Sequence, residues 1–179
     1  MICPSCCQKN LPGDDVCRHC KQPLTSFDRP QPENQVERSL MYDQVKTLKQ
    51  KPPVTMSHSA TIGDAMALMV AANVGALLIV DEVGRLVGIF SERDLLKKIV
   101  GDVADYVNLP ITQFMTPRPE SVATTDTLNF VLQKMDAGGY RHVPVLENGK
   151  PVGIISARDM LRFLTRLCKE AGERGASAL

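Results

Sequence analysis

One sixteen-residue pattern occurs twice in this chain. GRLVGIFSERDLLKKI, from Gly84 to Ile99, matches GKPVGIISARDMLRFL, from Gly149 to Leu164, at an offset of 65 with eight identities. A repeat of this size is one supersecondary unit, too small to bury a core alone, so the two copies must pack on each other. Upstream, Pro53 to Met69 lies over Pro119 to Met135 at an offset of 66. The one-residue difference falls where Asp81 to Gly84 (DEVG) becomes Glu147 to Gly149 (ENG), and Asn-Gly between apolar runs signals a hairpin. Each copy therefore reads β-α-β-β-α, an α+β fold of two repeats packed together. In the first copy the pattern places a helix over Thr61 to Ala72, strands over Ala76 to Val80 and Leu86 to Phe90, and a helix over Ser91 to Val100. Pro144 in HVPVL cannot donate to a ladder, which predicts that its strand lies at a sheet edge there.

Ahead of the repeats, Val36, Leu40, Met41, Val45 and Leu48 recur at helical spacing, predicting one helix from Asn34 to Gln50 that Pro52 and Pro53 stop. SFDRPQPENQ before it reads as a linker. The expected domains are a small module at 1–25, a linker and helix at 26–50, the first repeat at 51–101, the second with its entry linker at 102–168, and a flexible tail at 169–179. Ala65 to Val80 carries no charge but is too short to span a bilayer, and MICPSCC lacks the basic start and apolar run of a secretory signal. A cytoplasmic protein without membrane attachment is expected.

In such a compartment, Cys3-x2-Cys6 and Cys17-x2-Cys20 favour metal over disulfides. Two such pairs bring four thiolates to one tetrahedral centre, and about 25 residues cannot fold on burial alone. The segment resembles a small zinc ribbon, with iron in a rubredoxin-like site as the competing metal and Cys7 and His19 as spare ligands. Cys168 reads as a small buried apolar residue on the last helix. With Lys9, Arg18 and Lys21 against Asp14 and Asp15, the segment is too weakly basic for an affinity carried by phosphate contacts. The whole chain, at a net charge of +1 with no Trp, three Tyr and five Phe, disfavours nucleic-acid binding too.

Ser91 and Asp94 recur as Ser156 and Asp159. Ser-x-x-Asp before an apolar run is a capping box, and a helix N-terminus is also a seat for phosphate, so cap and binding site can coincide. Arg93 and Arg158 put cations in the first turn, against the helix macrodipole by about 0.3–1 kcal/mol. Either this small cost is tolerated in solvent or a bound phosphate offsets it. Tyr140, Arg141 and His142 stand where the first copy has Val74, Gly75 and Ala76, so the copies are not equivalent.

The repeated GI[FI]S-x-RD, the MTP at Met115 to Pro117, and YRHVPV from Tyr140 to Val145 resemble the CBS-domain family, and two copies look like a Bateman module. The resemblance implies clefts for AMP, ADP, ATP, NAD or S-adenosylmethionine, a homodimer, and regulation of an unidentified target protein rather than catalysis. The repeated helix N-termini make Ser91, Arg93, Asp94, Ser156, Arg158 and Asp159 candidate ligand contacts, and the resemblance implies phosphate contacts from Arg141 and His142. It places adenine contacts on the backbone near Thr55 and Met56, or Ser121 and Val122. The alternative is an unliganded dimerisation scaffold carrying a zinc-bound protein or nucleic-acid adaptor. No HExxH, GxSxG or P-loop occurs, so the sequence offers no catalytic motif.

Overall fold

Asn148 and Gly149 both take positive φ, 51° and 77°, which gives the two-residue turn the twist its flanking strands need. The computed structural model that contains this turn describes residues 3, 6–11, 14–22, 24, 32–48, 52–98 and 106–176. The chain divides into two units, Met1–Glu33 and Asn34–Leu179.

In the larger unit, α1 (Gln35–Tyr42) precedes the first repeat, which comprises β1 (Thr55–Ser57), α2 (Ile62–Ala72), β2 (Ala76–Val80), β3 (Leu86–Ser91) and α3 (Glu92–Lys98). After β4 (Thr116–Pro117), the second repeat runs through β5 (Val122–Ala123), α4 (Leu128–Gly138), β6 (His142–Glu147), β7 (Lys150–Ser156) and α5 (Ala157–Ala176). The order β-α-β-β-α thus appears in both copies. Ile99 and Val100, read as the end of α3, lie outside the described residues. The sheets are ordered β1-β2-β3-β4 and β5-β6-β7. In each the repeat's first strand pairs parallel to the second, which pairs antiparallel to the third. Ala76, Leu78 and Ile89 on the first sheet form a cluster joined by Leu86 and by Ile154 of the second. Ile89 and Ile154 are equivalent positions of the two repeats. At the same junction Leu86 N–H donates to the Gly149 carbonyl at 3.2 Å. Gly88 is needed beside this junction because a Cβ there would sit 2.3 Å from Met115 Sδ.

The strand containing Pro144 is not at an edge: β6 is the middle strand of its sheet. The first repeat shows how the proline is accommodated. Leu78, its counterpart, donates to the Val54 carbonyl at 3.0 Å, and the parallel ladder there begins at Thr55 opposite Leu78. In the second repeat the ladder begins one residue later, at Val122 opposite Val145, so Pro144 faces no acceptor it must serve.

The helix expected from Asn34 to Gln50 ends at Tyr42. Asn34 caps its start by accepting from Glu37 N–H at 2.9 Å, and Asp43 is already extended, at ψ 138°. The backbone beyond is claimed by the second repeat. Val45 N–H donates to Asp126 O at 2.8 Å, Lys46 N–H to Thr124 O at 2.9 Å, and Leu128 N–H to Asp43 O at 3.0 Å. A short 3-10 turn over Val45–Thr47 follows, and Lys49 to Lys51 lie outside the described residues. Val45 is fully buried in the second repeat's core with Leu128, Val131, Val143, Val145 and Phe163, and Val36, Leu40 and Leu48 pack against it.

The other crossing mirrors this one. Ile111 N–H donates to Ala60 O and Ile62 N–H to Leu109 O, both at 2.9 Å, and Ile111 is fully buried in the first repeat's core with Ile62, Leu77 and Phe90. Gln44 bridges Thr127 as Pro110 bridges Thr61. Each repeat therefore closes the core of the other with the segment that precedes itself.

At the C-terminal end, α5 continues through Ala176, so residues 169–176, expected as part of a flexible tail, are helical. Arg166 pairs with Glu170 one turn on, at 3.8 Å. Cys168 on this helix is exposed, not buried, because Met160, Phe163 and Leu167 are the residues that face the core. No helix among the described residues is long and apolar enough to cross a membrane.

Candidate functional site

Both Ser–Asp pairs cap the helix that follows. Ser156 N–H donates to Asp159 Oδ2 at 3.0 Å, Ser156 Oγ donates to the same oxygen at 2.5 Å, and Asp159 N–H donates back to Ser156 Oγ at 3.2 Å. At Ser91 the corresponding bonds to Asp94 Oδ2 are 3.1 Å from N–H and 2.6 Å from Oγ. The caps seat each pair at the turn where a strand becomes a helix, beside the first residues of the neighbouring strand. Ser91 pairs with Ala76 and Ser156 with His142. Glu92 N–H donates to Gly75 O at 3.1 Å, as Ala157 N–H donates to Arg141 O at 2.9 Å. Arg141, His142, Ser156 and Asp159 are thus brought to one place.

The remaining carboxylate oxygens differ. Asp94 Oδ1 accepts from Thr116 Oγ1 at 3.1 Å, in the MTP segment, and Asp94 is half-buried. Among the described residues Asp159 Oδ1 meets Arg162 Nη1 at 3.7 Å, with side-chain exposures of 47% and 67%, so this pair is weak and the Asp159 side chain is exposed. The arginines differ as well. Both are exposed, but Arg93 Nη1 donates to the Gly139 carbonyl at the end of α4, 3.1 Å away, and Arg158 makes no such bond among the described residues. Burial lowers the His142 pKa below the usual imidazole range; the charges of Glu92 and Asp159 oppose this and that of Arg141 adds to it. Of the residues implied for adenine, Thr55 is exposed and Met56 and Ser121 half-buried, while Val122 is buried in the core and presents only backbone. Thr116 and Glu92 also belong to this neighbourhood, beyond the residues to which the sequence points. The MTP motif contained Thr116, but its reach to Asp94 is tertiary.

The N-terminal unit holds a second constellation. Cys3, Cys6, Cys17 and Cys20 bring their Sγ atoms within 4.8 Å of one another. Cys3 and Cys20 are 3.6 Å apart, as are Cys6 and Cys17. Two matching loops produce this. Cys3 N–H donates to Gln8 O and Cys7 N–H to Cys3 O, just as Cys17 N–H donates to Gln22 O and Lys21 N–H to Cys17 O. Cys7 and Lys21 take positive φ, 56° and 61°, to close the loops. Asn10, buried, ties them together by donating from Nδ2 to Gln8 O at 2.9 Å and accepting from Arg18 N–H at 3.0 Å. The Cys20 N–H, working against burial, holds the Cys17 thiol down to about 6. At Cys6 the Gln8 N–H favours the thiolate, but burial and the three neighbouring sulfurs prevail and push it up to about 12. Four sulfurs this close ionise together only around a cation. A tetrahedral ion with bonds of about 2.3 Å to sulfur spaces its ligands about 3.8 Å apart, which this donor set fits. Cys7 and His19, the spare candidates, are exposed and outside the group.

Two interlocked β-α-β-β-α repeats, each with a capped Ser–Asp turn, define a pseudo-symmetric paired-repeat module, here with a separate four-thiol unit. The model of the CBS domain matches residues 45–101 and 111–166, and the chain belongs to that family as a tandem pair. A CBS domain-containing protein of Arabidopsis thaliana is 30% identical over 73% of this chain, and the match spans 24% of that relative's length. The chain thus spans about a quarter of the length of such relatives. The crystal structure of a CBS-domain containing protein from Agrobacterium tumefaciens is similar at a TM-score of 0.62 and 34% identity, covering 66% of this chain and 97% of that one. A CBS domain protein from Pyrobaculum aerophilum complexed with AMP is similar at 0.63 and 27%, covering 70% and 98%. The CBS domain pair of protein MJ0100, complexed with 5′-methylthioadenosine and S-adenosyl-L-methionine, is similar at 0.60 and 31%, covering 68% and 95%.

Proposed function

We propose that this chain is a regulatory module that binds an adenine nucleotide or another adenosyl ligand between its CBS repeats and transmits the bound state to a target protein. The observation that carries this reading is the gathering of Arg141 and His142, at the entry to β6, beside Ser156 and Asp159 at the β7–α5 turn, with the Asp159 side chain 47% exposed. A carboxylate there accepts from ribose hydroxyls, while Arg141 and Arg158 supply guanidinium donors for phosphate. The AMP and S-adenosylmethionine complexes of similar pairs support the ligand class. The second repeat is the stronger site, because Thr116 already occupies Asp94 Oδ1 in the first. Losing a hydrogen bond to a charged group costs about 1.5–3 kcal/mol, so Asp159→Ala should weaken AMP or ATP binding more than ten-fold by calorimetry. Asp94→Ala should act mainly on the α3 cap and the Thr116 contact. Parent-like affinity in Asp159→Ala with binding lost in Asp94→Ala would reverse the assignment.

The four-thiol unit is read as a zinc site, structural or partner-contacting, with Cys3, Cys6, Cys17 and Cys20 as ligands. Bound zinc would supply the cross-link around which the two loops fold, and iron is the competing occupant. The module is also read as a homodimer. Leu96 on α3 and Leu161 on α5 occupy equivalent positions of the two repeats and are 66% and 64% exposed, an arrangement that a second copy would cover. Sedimentation should find a dimer at micromolar concentration, and Leu96→Glu with Leu161→Glu should yield monomer. A monomeric parent would end this reading.

A further inference from the structure

Two consecutive residues of the first repeat act on the second. Arg93 reaches across the repeat junction to the carbonyl of Gly139. Gly139 ends α4 in the left-handed region, φ 60°, with its N–H turned back to the carbonyls of Asp136 and Met135, and Tyr140 N–H donates to Met135 O at 3.0 Å. Carbonyls at a helix C-terminus lack intrahelical donors and carry the negative end of the macrodipole, so a guanidinium there caps α4 and anchors the turn that leads into Tyr140, Arg141 and His142. The contact also answers the cost of a cation in the first turn of α3: the end of α4 offsets it within the protein.

Glu92 works beside Arg93. Its N–H is fixed by Gly75 O, and its carboxylate lies where a Cβ on Gly75 would come within 3.3 Å, so the small residue at 75 leaves it room. From there its charge bears on His142, as do Asp159 from α5 and Arg141 from the same strand entry. Among the described residues the opposite side of the junction has no such arrangement. Ala157 replaces Glu92, Ala76 replaces His142, and Arg158 makes no bond to the carbonyl of Asn73, the counterpart of Gly139, among the described residues.

We infer that Arg93, assisted by Glu92, is a positioning residue for the second-repeat cleft: it fixes the turn at 139–142 so that Arg141 meets the phosphate of the ligand, and does not itself touch the ligand. This rests on the adenosyl-binding reading above. It gives the two arginines of the repeated RD motif different work, Arg93 as a strut between repeats and Arg158 as a ligand contact.

The test is calorimetry on the full chain with AMP and with 5′-methylthioadenosine, which has the nucleoside but no phosphate, using the parent, Arg93→Ala, Arg93→Lys, Arg141→Ala and the Arg93→Ala/Arg141→Ala double variant. Arg93→Ala should weaken AMP about five-fold and leave 5′-methylthioadenosine nearly unchanged, and Arg93→Lys, which keeps one donor for the carbonyl, should restore most of the loss. In the Arg141→Ala background the Arg93→Ala change should add nothing, since the residue it positions is gone. Equal weakening of both ligands, a full additional loss in that background, or unchanged AMP affinity in Arg93→Ala would each overturn the inference. If Arg93→Ala fails to fold, Arg93→Lys must fold and bind AMP close to the parent, and a large loss there overturns it instead. A parent that binds neither ligand defeats the adenosyl-binding reading and this inference with it, whereas a parent that binds AMP alongside an indifferent Arg93→Ala defeats the inference alone.

Discussion

If the four thiols hold zinc as proposed, chelation should unfold the four-thiol unit and leave the unit from Asn34 onward folded. Among the described residues the buried apolar cluster of the small unit consists of Cys3, Cys17 and Leu24, with Cys6 and Cys20 packed beside them, so thiols dominate it. One leucine contributes about 1.5–3 kcal/mol by burial, far below the backbone entropy of ordering some twenty residues at about 1–2 kcal/mol each. Structural zinc in small modules supplies about 10–16 kcal/mol of apparent binding energy at neutral pH, which on the proposed zinc reading would be the folding energy of this unit. Elemental analysis should give one zinc per chain, and Cys3→Ser or Cys17→Ser should remove it. Hydrogen exchange after chelation should show protection lost from the amides of Cys7 and Lys21, which close the two loops, while those of β2 and β6 keep theirs. A small unit that stays protected without metal, or that is held by paired disulfides, would refute the zinc reading.

What the sequence disclosed followed from how local each signal was. The Asn-Gly turn depends on two adjacent residues and stands where the pattern placed it, and the helix expected from Thr61 to Ala72 runs over Ile62–Ala72 with Thr61 as its cap. Both Ser–Asp pairs were legible as caps for the same reason. The end of α1 was not, because Val36, Leu40, Val45 and Leu48 keep a helical period while the backbone from Asp43 is taken by Thr124, Asp126 and Leu128, more than seventy residues away. Pro144 was misread as an edge marker because a proline in a middle strand is tolerated when the neighbouring ladder starts one residue late, which no local pattern reports. Within the site, Arg93 was visible as a cation in an unfavourable place, yet its partner, Gly139 O, belongs to the other repeat. The repeat itself held one unused signal. Continued upstream at its offset of 66, it superposes Asp43, Gln44 and Val45 on Leu109, Pro110 and Ile111, where no identity remains but the same bonds are made.

That reciprocal exchange sets where the paired module begins. Removing residues 1–33 takes away only the small unit, and the melting temperature of the CBS pair should shift by no more than about 3 °C. Removing residues 1–48 also leaves both repeats' own strands and helices intact, yet should collapse the pair. It exposes the pocket that the fully buried Val45 fills, uncovers the surface under Val36, Leu40 and Leu48, and leaves the Asp126 and Thr124 carbonyls and the Leu128 N–H without their partners. Burial of Val45 alone is worth about 1.5–3 kcal/mol, and each orphaned backbone group about 1–3 kcal/mol more, against a total stability of about 5–15 kcal/mol for a domain. The mirror position makes the argument specific. Ile111→Ala, within the chain that enters the second repeat, should destabilise the first repeat by about 2–5 kcal/mol, with exchange protection lost first from β2 and β3 rather than from β6 and β7. Val45→Ala should show the opposite order, weakening β6 and β7 first although it precedes the first repeat in sequence. Were the 1–48 deletion to melt with the same cooperativity and midpoint as the 1–33 deletion, the entry segments would be ornaments on two self-sufficient repeats.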